Sequence, residues 1–440
     1  MSIEAGMETR EVQPVVEKRG GLHYGLVVMF MSLFTVTGAL GLARFGYTLL
    51  LPGMKDGLGL NYTQTGLLAT WNLVGYLVAA AVGGVIAARY GPRAVISVSM
   101  LLVGVGMLLT GLAPDFLMAL IMRALTGIGS AGANVPVMAL LSAWFATRRR
   151  GMAAGVAVGG SGVALVLSGP LLPPFIAAYG WRAGWYVLGI LGIVIAVAGY
   201  LLLRNRPAEK GLRPFGEGEG RSLVGATVAL SAQPSQMTAA PPHAALNWGL
   251  VYRSPVLWHL AVVYAMFGFA YIIYATFFAT YLTQEGGWTS AAAGNLWALM
   301  GLFSIFSGFI WGTISDSIGR KYGLALVFAL QGLSILIFAL VRTPAGYYAS
   351  AILFGLTAWS IPGIMAAACG DYVGSRLAPA ALGLITVVFG IGQAIGPGLA
   401  GAIADSTGSF ALAFVVAAVA EGVGAAGAFL LKRPALNLSI

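Results

Sequence analysis

Twelve stretches of this sequence stay apolar for 20 residues or more, at about 24–51, 64–87, 94–113, 116–143, 152–178, 184–203, 256–282, 291–314, 322–341, 345–370, 380–403 and 410–431. Coiled as α-helices, runs of that length cross the ~30 Å hydrocarbon core of a bilayer. A transmembrane β-strand would need only ~10 residues and would alternate in polarity. These runs are longer and do not alternate, so they predict an all-α integral membrane protein with twelve transmembrane helices. Only 9% of the residues are charged, against about 25% in a soluble domain. That is too few to cover a water-facing surface.

The net charge of +10 could suggest nucleic acid or an acidic partner. Its placement argues for topology instead. Threading twelve helices from a cytoplasmic N-terminus leaves 19 of the 24 basic residues in inner segments, among them Arg89, Arg93, Arg148, Arg149, Arg150, Arg204, Arg206, Arg320, Lys321 and Arg376. The outer loops hold Lys55, Arg182 and Arg342, and Arg44 and Arg123 lie inside apolar runs. Such a bias is the positive-inside rule, and it sets both termini in the cytoplasm. The partner it implies is a lipid bilayer and not nucleic acid. Residues 1–21 mix acids and bases and lack the apolar region of a signal peptide. Cys369 is the single cysteine, and His23, His243 and His259 are scattered. No metal-ligand set, phosphate loop or nucleophile–base triad is present, so neither a cofactor nor an enzymatic activity is expected.

Residues 204–253 break the apolar pattern with Pro207, Pro214, Pro234, Pro241 and Pro242 and read as a mobile cytoplasmic linker. The expected organisation is a tail (1–21), a six-helix bundle (22–203), the linker (204–253), a second six-helix bundle (254–431) and a tail (432–440). The two bundles repeat. Gly66 and Gly294, Gly84 and Gly312, Gly91 and Gly319, Gly127 and Gly355, and Gly155 and Gly383 are each 228 residues apart. A duplicated bundle of this kind is a common construction of alternating-access carriers, with the site between the halves near the midplane.

Charges inside the runs are costly, roughly 2.5–3.5 kcal/mol at the bilayer centre on insertion scales. Arg44, within "GLARFGYTLLLPGM", has no acid in its own run; Gly41, Tyr47 and Thr48 share its helical face. Two readings stay open for it: an arginine that snorkels outward or pairs with another helix, and a cationic seat for an anionic substrate. Its repeat-mate is Ile272, so symmetry does not require a charge there. Arg123 lies ~12 Å into the fourth run, with Gly127, Ser130 and Asn134 on its face. Of fourteen acids only Glu421 lies deep in a run. Asp371 stands near the inner end of the tenth run with Arg376 beyond it, a gate or end-of-helix pair. No buried carboxylate stands out as a proton carrier in the N-terminal half, so any proton coupling would ride on the substrate. The neutral polar candidates are Asn72, Tyr76, Asn134, Tyr264, Tyr271, Tyr274, Asn295, Trp359 and Gln393. Each is either a cavity liner or an interhelical hydrogen bond or interface anchor.

Two loops, "GVIAARYGPR" and "GTISDSIGRK", resemble the signature between helices 2 and 3, and 8 and 9, of the major facilitator superfamily. "RALTGIG", Arg123 to Gly129, is similar to its helix 4 motif. The second copy of the signature matches at Gly312, Asp316, Gly319, Arg320 and Lys321. The first departs, with Ala88 in place of the Asp and Pro92 in place of a basic residue. "WFATRRRGMAAGVAVGGSG", "YGWRAGWYVLG" and "RPAEKGLRPFG" resemble bacterial monocarboxylate and oxalate–formate type carriers. Helix 8 departs from those carriers, because the run from Ala291 to Thr313 holds no charge.

The resemblance implies the major facilitator fold and a bacterial-type inner membrane. It gives coupling or gating roles to Arg123, Arg89, Asp316 and Arg320. The combined expectation is a monomeric secondary active transporter that moves a small organic anion, a monocarboxylate, by alternating access, with or without protons. Arg44, Tyr47, Asn72, Tyr76, Asn134, Tyr271, Tyr274, Asn295, Trp359 and Gln393 are the expected substrate residues. The rivals are a proton-coupled exporter of drugs or neutral metabolites and a membrane sensor on a carrier fold.

Overall fold

The computed structural model describes residues 22–217 and 248–431. The expected tails 1–21 and 432–440, the linker stretch 218–247 and the side chain of Arg376 lie outside the described residues. Among those described, eleven helices are long and apolar enough to cross a membrane. One of them, Thr147–Leu202, is 56 residues long, ~84 Å at 1.5 Å per residue and nearly three bilayer cores. Gly180, at φ 81° and ψ 166°, breaks it into two spans. The count is then twelve: α1 (Tyr24–Leu58), α2 (Tyr62–Tyr90), α3 (Pro92–Leu112), α4 (Phe116–Trp144), α5 (147–179), α6 (181–202), α7 (Pro255–Gln284), α8 (Ser290–Ile318), α9 (Arg320–Leu340), α10 (Pro344–Gly374), α11 (Leu377–Thr407) and α12 (Ala411–Leu430).

Local chemistry sets most of the ends. Asn61 and Gln64 form a capping box at α2, and Asp115 accepts from the Met118 N–H at α4 at 2.9 Å. Proline opens α3, α7 and α10, where its missing N–H has no helical partner to lose. The turns repeat as the sequence does. Gly59 and Gly287, Gly91 and Gly319, and Gly180 and Gly408 are each 228 residues apart, and all six have positive φ. An L side chain at such a turn would be strained, so the glycines keep both copies of the turn alike.

The halves meet through two equivalent helix pairs. At Gly66 on α2 a Cβ would strike the carbonyl of Pro397 on α11, and at Gly294 on α8 it would strike the carbonyl of Gly169 on α5. These pairs are again offset by 228. Small residues let the backbones approach this closely. The opposite ends of the same four helices behave differently. Gly84, Gly155, Gly312 and Gly383 have no neighbour within 4 Å of a would-be Cβ. The halves are therefore closed together at one end and parted at the other, the end that carries Arg89, Arg148, Arg253 and Arg320.

A polar latch crosses the closed end. The Asp405 carboxylate on α11 accepts from the backbone N–H of Tyr62 (2.9 Å) and Thr63 (2.8 Å) and from the Thr63 hydroxyl (2.6 Å), at the start of α2. A carboxylate there meets the partial positive charge of a helix N-terminus. Its repeat-equivalent position is Ala177, so the α5–α8 pair has no such latch.

The first part of the expected linker is packed down. Phe215 exchanges backbone hydrogen bonds with Trp144 (2.8 Å) and Ala146 (3.0 Å), and its ring meets Phe145 edge-on and lies beneath the Arg149 guanidinium. Hydrophobic and cationic side chains in "RPAEKGLRPFG" thus hold residues 204–217 against the ends of α1, α4 and α5.

Candidate functional site

Midway along α1 the backbone widens into a π-helical segment, Thr37–Phe45. Such segments often occur at functional sites. Glycines accommodate it: a Cβ on Gly41 would overlap Ala164 of α5, and one on Gly38 would press on Met100 of α3. Arg44 occupies its last turn and lines a cavity between the halves with Thr48, Asn72, Arg123, Ile272 and Thr276. Arg44 and Ile272, and Thr48 and Thr276, are repeat-mates. The cavity therefore lies on the pseudo-two-fold axis, with the cation supplied by the N-terminal half alone. The Thr48 hydroxyl crosses between halves to donate to the Ala275 carbonyl at 2.7 Å.

Two guanidinium groups serve this cavity. That of Arg44 lies over the Tyr76 ring at 4.7 Å and within interaction range of the Tyr271 hydroxyl. Its Nε and Nη2 are buried and have no hydrogen-bond partner among the described residues. Arg123, 1% exposed, is sandwiched between Tyr47 (4.7 Å) and Trp185 (5.3 Å). Its Nη1 donates to the Ala43 carbonyl at 2.6 Å, so α4 clasps the π-helical segment one residue before Arg44. Its Nε is buried and has no partner among the described residues. No acid lines the cavity, and neither arginine has a carboxylate partner among the described residues.

The neighbouring polar groups hold this frame. The Tyr47 hydroxyl donates to the Thr65 carbonyl at 2.8 Å, Asn72 Nδ2 donates to the Arg123 carbonyl at 3.0 Å, and Asn134 Nδ2 donates to the Tyr76 hydroxyl at 2.9 Å. Asn72 Oδ1 is buried without a donor among the described residues. Across the axis Gln393 donates to the Tyr271 hydroxyl. The Tyr271 ring stacks on Phe267 and meets Trp359 edge-on. Trp359 sits where α10 is interrupted, its backbone N–H held by Ser307 Oγ at 3.1 Å.

Other expected residues lie elsewhere. The Tyr274 hydroxyl shares a hydrogen bond with Ser350 at 2.8 Å and its ring stacks on Phe354, inside the C-terminal half. Tyr264 stacks on Phe389 at 4.2 Å. Asn295 is exposed on the second turn of α8. Arg89 is exposed at the basic end beside Tyr90. Arg320 bonds Asp316 and reaches Asp371 Oδ2 at 3.2 Å and Ser315 Oγ at 3.3 Å, tying α8, α9 and α10 of one half together. Asp371 thus has Arg320 as its partner. In the first half, where Ala88 replaces the acid, Asn205 Oδ1 holds the Arg93 N–H at 2.9 Å instead. Glu421 is fully buried on α12 with both oxygens unpartnered among the described residues, and it does not line the cavity.

The sequence reading missed Phe45, Trp185, Trp297 and Asp405. The first three are ordinary membrane aromatics by composition, and only their meeting with Arg44, Arg123 and each other distinguishes them. Asp405 is 343 residues from its partner Tyr62.

The sequence matches the family described as Major Facilitator Superfamily over residues 33–383 and 281–439. Among curated relatives, "Probable sulfoacetate transporter SauU" of Cupriavidus necator is 24% identical over 88% of this chain and 90% of its own length. "Hexuronate transporter" of Bacillus subtilis is 25% identical over 89% and 90%. "Monocarboxylate transporter 11" of Homo sapiens is 27% identical over 92% and 82%. In fold the chain is similar to a bacterial homologue of the human lysosomal transporter Spinster, solved inward-facing and unoccupied. The TM-score is 0.73 at 17% identity, covering 94% of this chain and 98% of that one.

Proposed function

We propose, since the chain belongs to the Major Facilitator Superfamily, that it is a secondary active transporter whose substrate is a small organic anion, a monocarboxylate, held by Arg44. The observation that carries this reading is the pair of buried, unpartnered N–H donors on Arg44. Arg44 lines a cavity on the molecular axis whose lining includes a second guanidinium and no acid. A planar guanidinium grips a carboxylate with two parallel hydrogen bonds. Arg123 holds the π-helical segment and adds positive potential. The relatives point the same way, since their printed substrates are acids.

The two halves would rock about the axis and expose this cavity to each side in turn. The parted end, rich in arginine, would face the cytoplasm of a bacterial-type inner membrane. The protein would act as a monomer and as a carrier rather than an enzyme, and any proton would travel with the substrate. The test is binding and proteoliposome uptake of carboxylates by Arg44 variants, with and without a proton gradient. Arg44→Lys should weaken binding and transport, and Arg44→Ala should nearly abolish both while the protein still inserts. Uptake and binding by Arg44→Ala at the wild-type level would refute the anion site.

A further inference from the structure

Beside the cationic cavity lies a second void on the C-terminal side of the axis, about 10 Å³ while Phe45 fills the space next to it. Its walls are Met300, Phe354, Ala358 and the rings of Tyr271, Trp297 and Trp359. Phe45, the residue after Arg44, lines both cavities. Its ring stands 5.6 Å from Trp359 and 6.4 Å from Trp297, so it is the partition between them.

The second cavity offers little to a polar guest. The Ser304 hydroxyl on its wall already donates to the Gly301 carbonyl at 2.7 Å, and the Tyr271 hydroxyl is engaged by Gln393. The remaining polar groups are the indole N–H donors of Trp297 and Trp359, both buried without partners among the described residues. A chain of hydroxyls, each needing its own partner, would find those two donors and lose its hydration elsewhere, at a cost for every unmatched group. A hydrocarbon or aryl group would gain burial against methyl, thioether and ring surfaces.

We propose that the two cavities are the two ends of one substrate site: the carboxylate sits on Arg44, and an apolar, ring-sized tail displaces Phe45 and enters the aromatic slot. The preferred substrates are then monocarboxylates with aryl or branched-alkyl tails, over short or polyhydroxylated acids. This inference rests on the anion reading of Arg44 and adds the tail.

The experiment uses the full chain in detergent and measures binding of three probes, phenylacetate, acetate and gluconate, by competition and thermal shift. Phenylacetate should bind at least roughly ten-fold more tightly than either other probe, the low end of what one added apolar group gains in a fitted pocket. Ala358→Leu, which fills the slot, should pull that ratio towards one. Should the leucine variant not fold, the wild-type ratio decides alone. Equal binding of the three probes that is lost in Arg44→Gln overturns the apolar slot and leaves the anion site standing. Binding of all three that is unchanged in Arg44→Gln overturns the anion site and this inference with it.

Discussion

Arg44 and Arg123 are both arginines inside apolar helices, yet their surroundings assign them opposite duties. Arg123 is enclosed by two aromatic rings and donates to a backbone carbonyl. Removing it takes away a buried hydrogen bond from a charged donor, a loss of about 1–3 kcal/mol. Arg123→Met, similar in volume, should therefore lower the melting temperature of the ligand-free protein. Arg44 has two donors with no partner and a like charge across the cavity. Arg44→Gln relieves that repulsion, so its ligand-free melting temperature should equal or exceed that of the wild type. Differential scanning fluorimetry in the absence of carboxylates reads both, and a melting temperature for Arg44→Gln well below that of Arg123→Met would show that the assignments are reversed.

At the scale of elements, two contacts control how helices move past one another. The Asp405 carboxylate bridges α11 to the start of α2 across the closed end. It is exposed, so its weight is modest. Asp405→Ala should raise labelling of a cysteine at Thr70, which faces Ala394 of α11 at 2.7 Å, by roughly two- to five-fold with an impermeant reagent added from the closed side. Unchanged labelling would mean that glycine packing alone holds that end. At the basic end the Asp316–Arg320–Asp371 cluster ties three helices of one half. Asp316→Asn should slow transport with a small loss of affinity, whereas Ala88→Asp should do little, because Asn205 already caps α3 in the first half. Transport unaffected by the first change and disrupted by the second would remove the latch role. The π-helical segment belongs to this scale too: Gly41→Val would drive α1 off Ala164, and expression and melting temperature should both fall.

For the whole molecule the bias of basic residues is the ground for the orientation proposed above. In a background with Cys369 replaced, a cysteine at Ser290 at the start of α8 should react with an impermeant thiol reagent outside intact cells. A cysteine at Ser231 should react only after lysis. Labelling of position 231 from outside would overturn the orientation, and with it the assignment of the parted end to the cytoplasm.

Span number, helix type and the internal duplication are written in the sequence, because each depends on quantities that add up along the chain. Apolar length, loop charge and glycines every 228 residues need no knowledge of which helices touch. The two runs that the structure joins as Thr147–Leu202 remain separate in the sequence, and Gly180, with its positive φ, makes them two spans. The sequence also marks Arg44 as anomalous, since a charge in lipid is costly wherever the chain goes. It does not say what Arg44 faces. Its neighbours come from α2, α4 and α7, and the clasp from Arg123 to Ala43 spans 80 residues. The widened turn of α1, the partition at Phe45 and the latch at Asp405 likewise arise only when helices pack. Each is fixed by contact between surfaces that are individually unremarkable runs of leucine, glycine and aromatic rings.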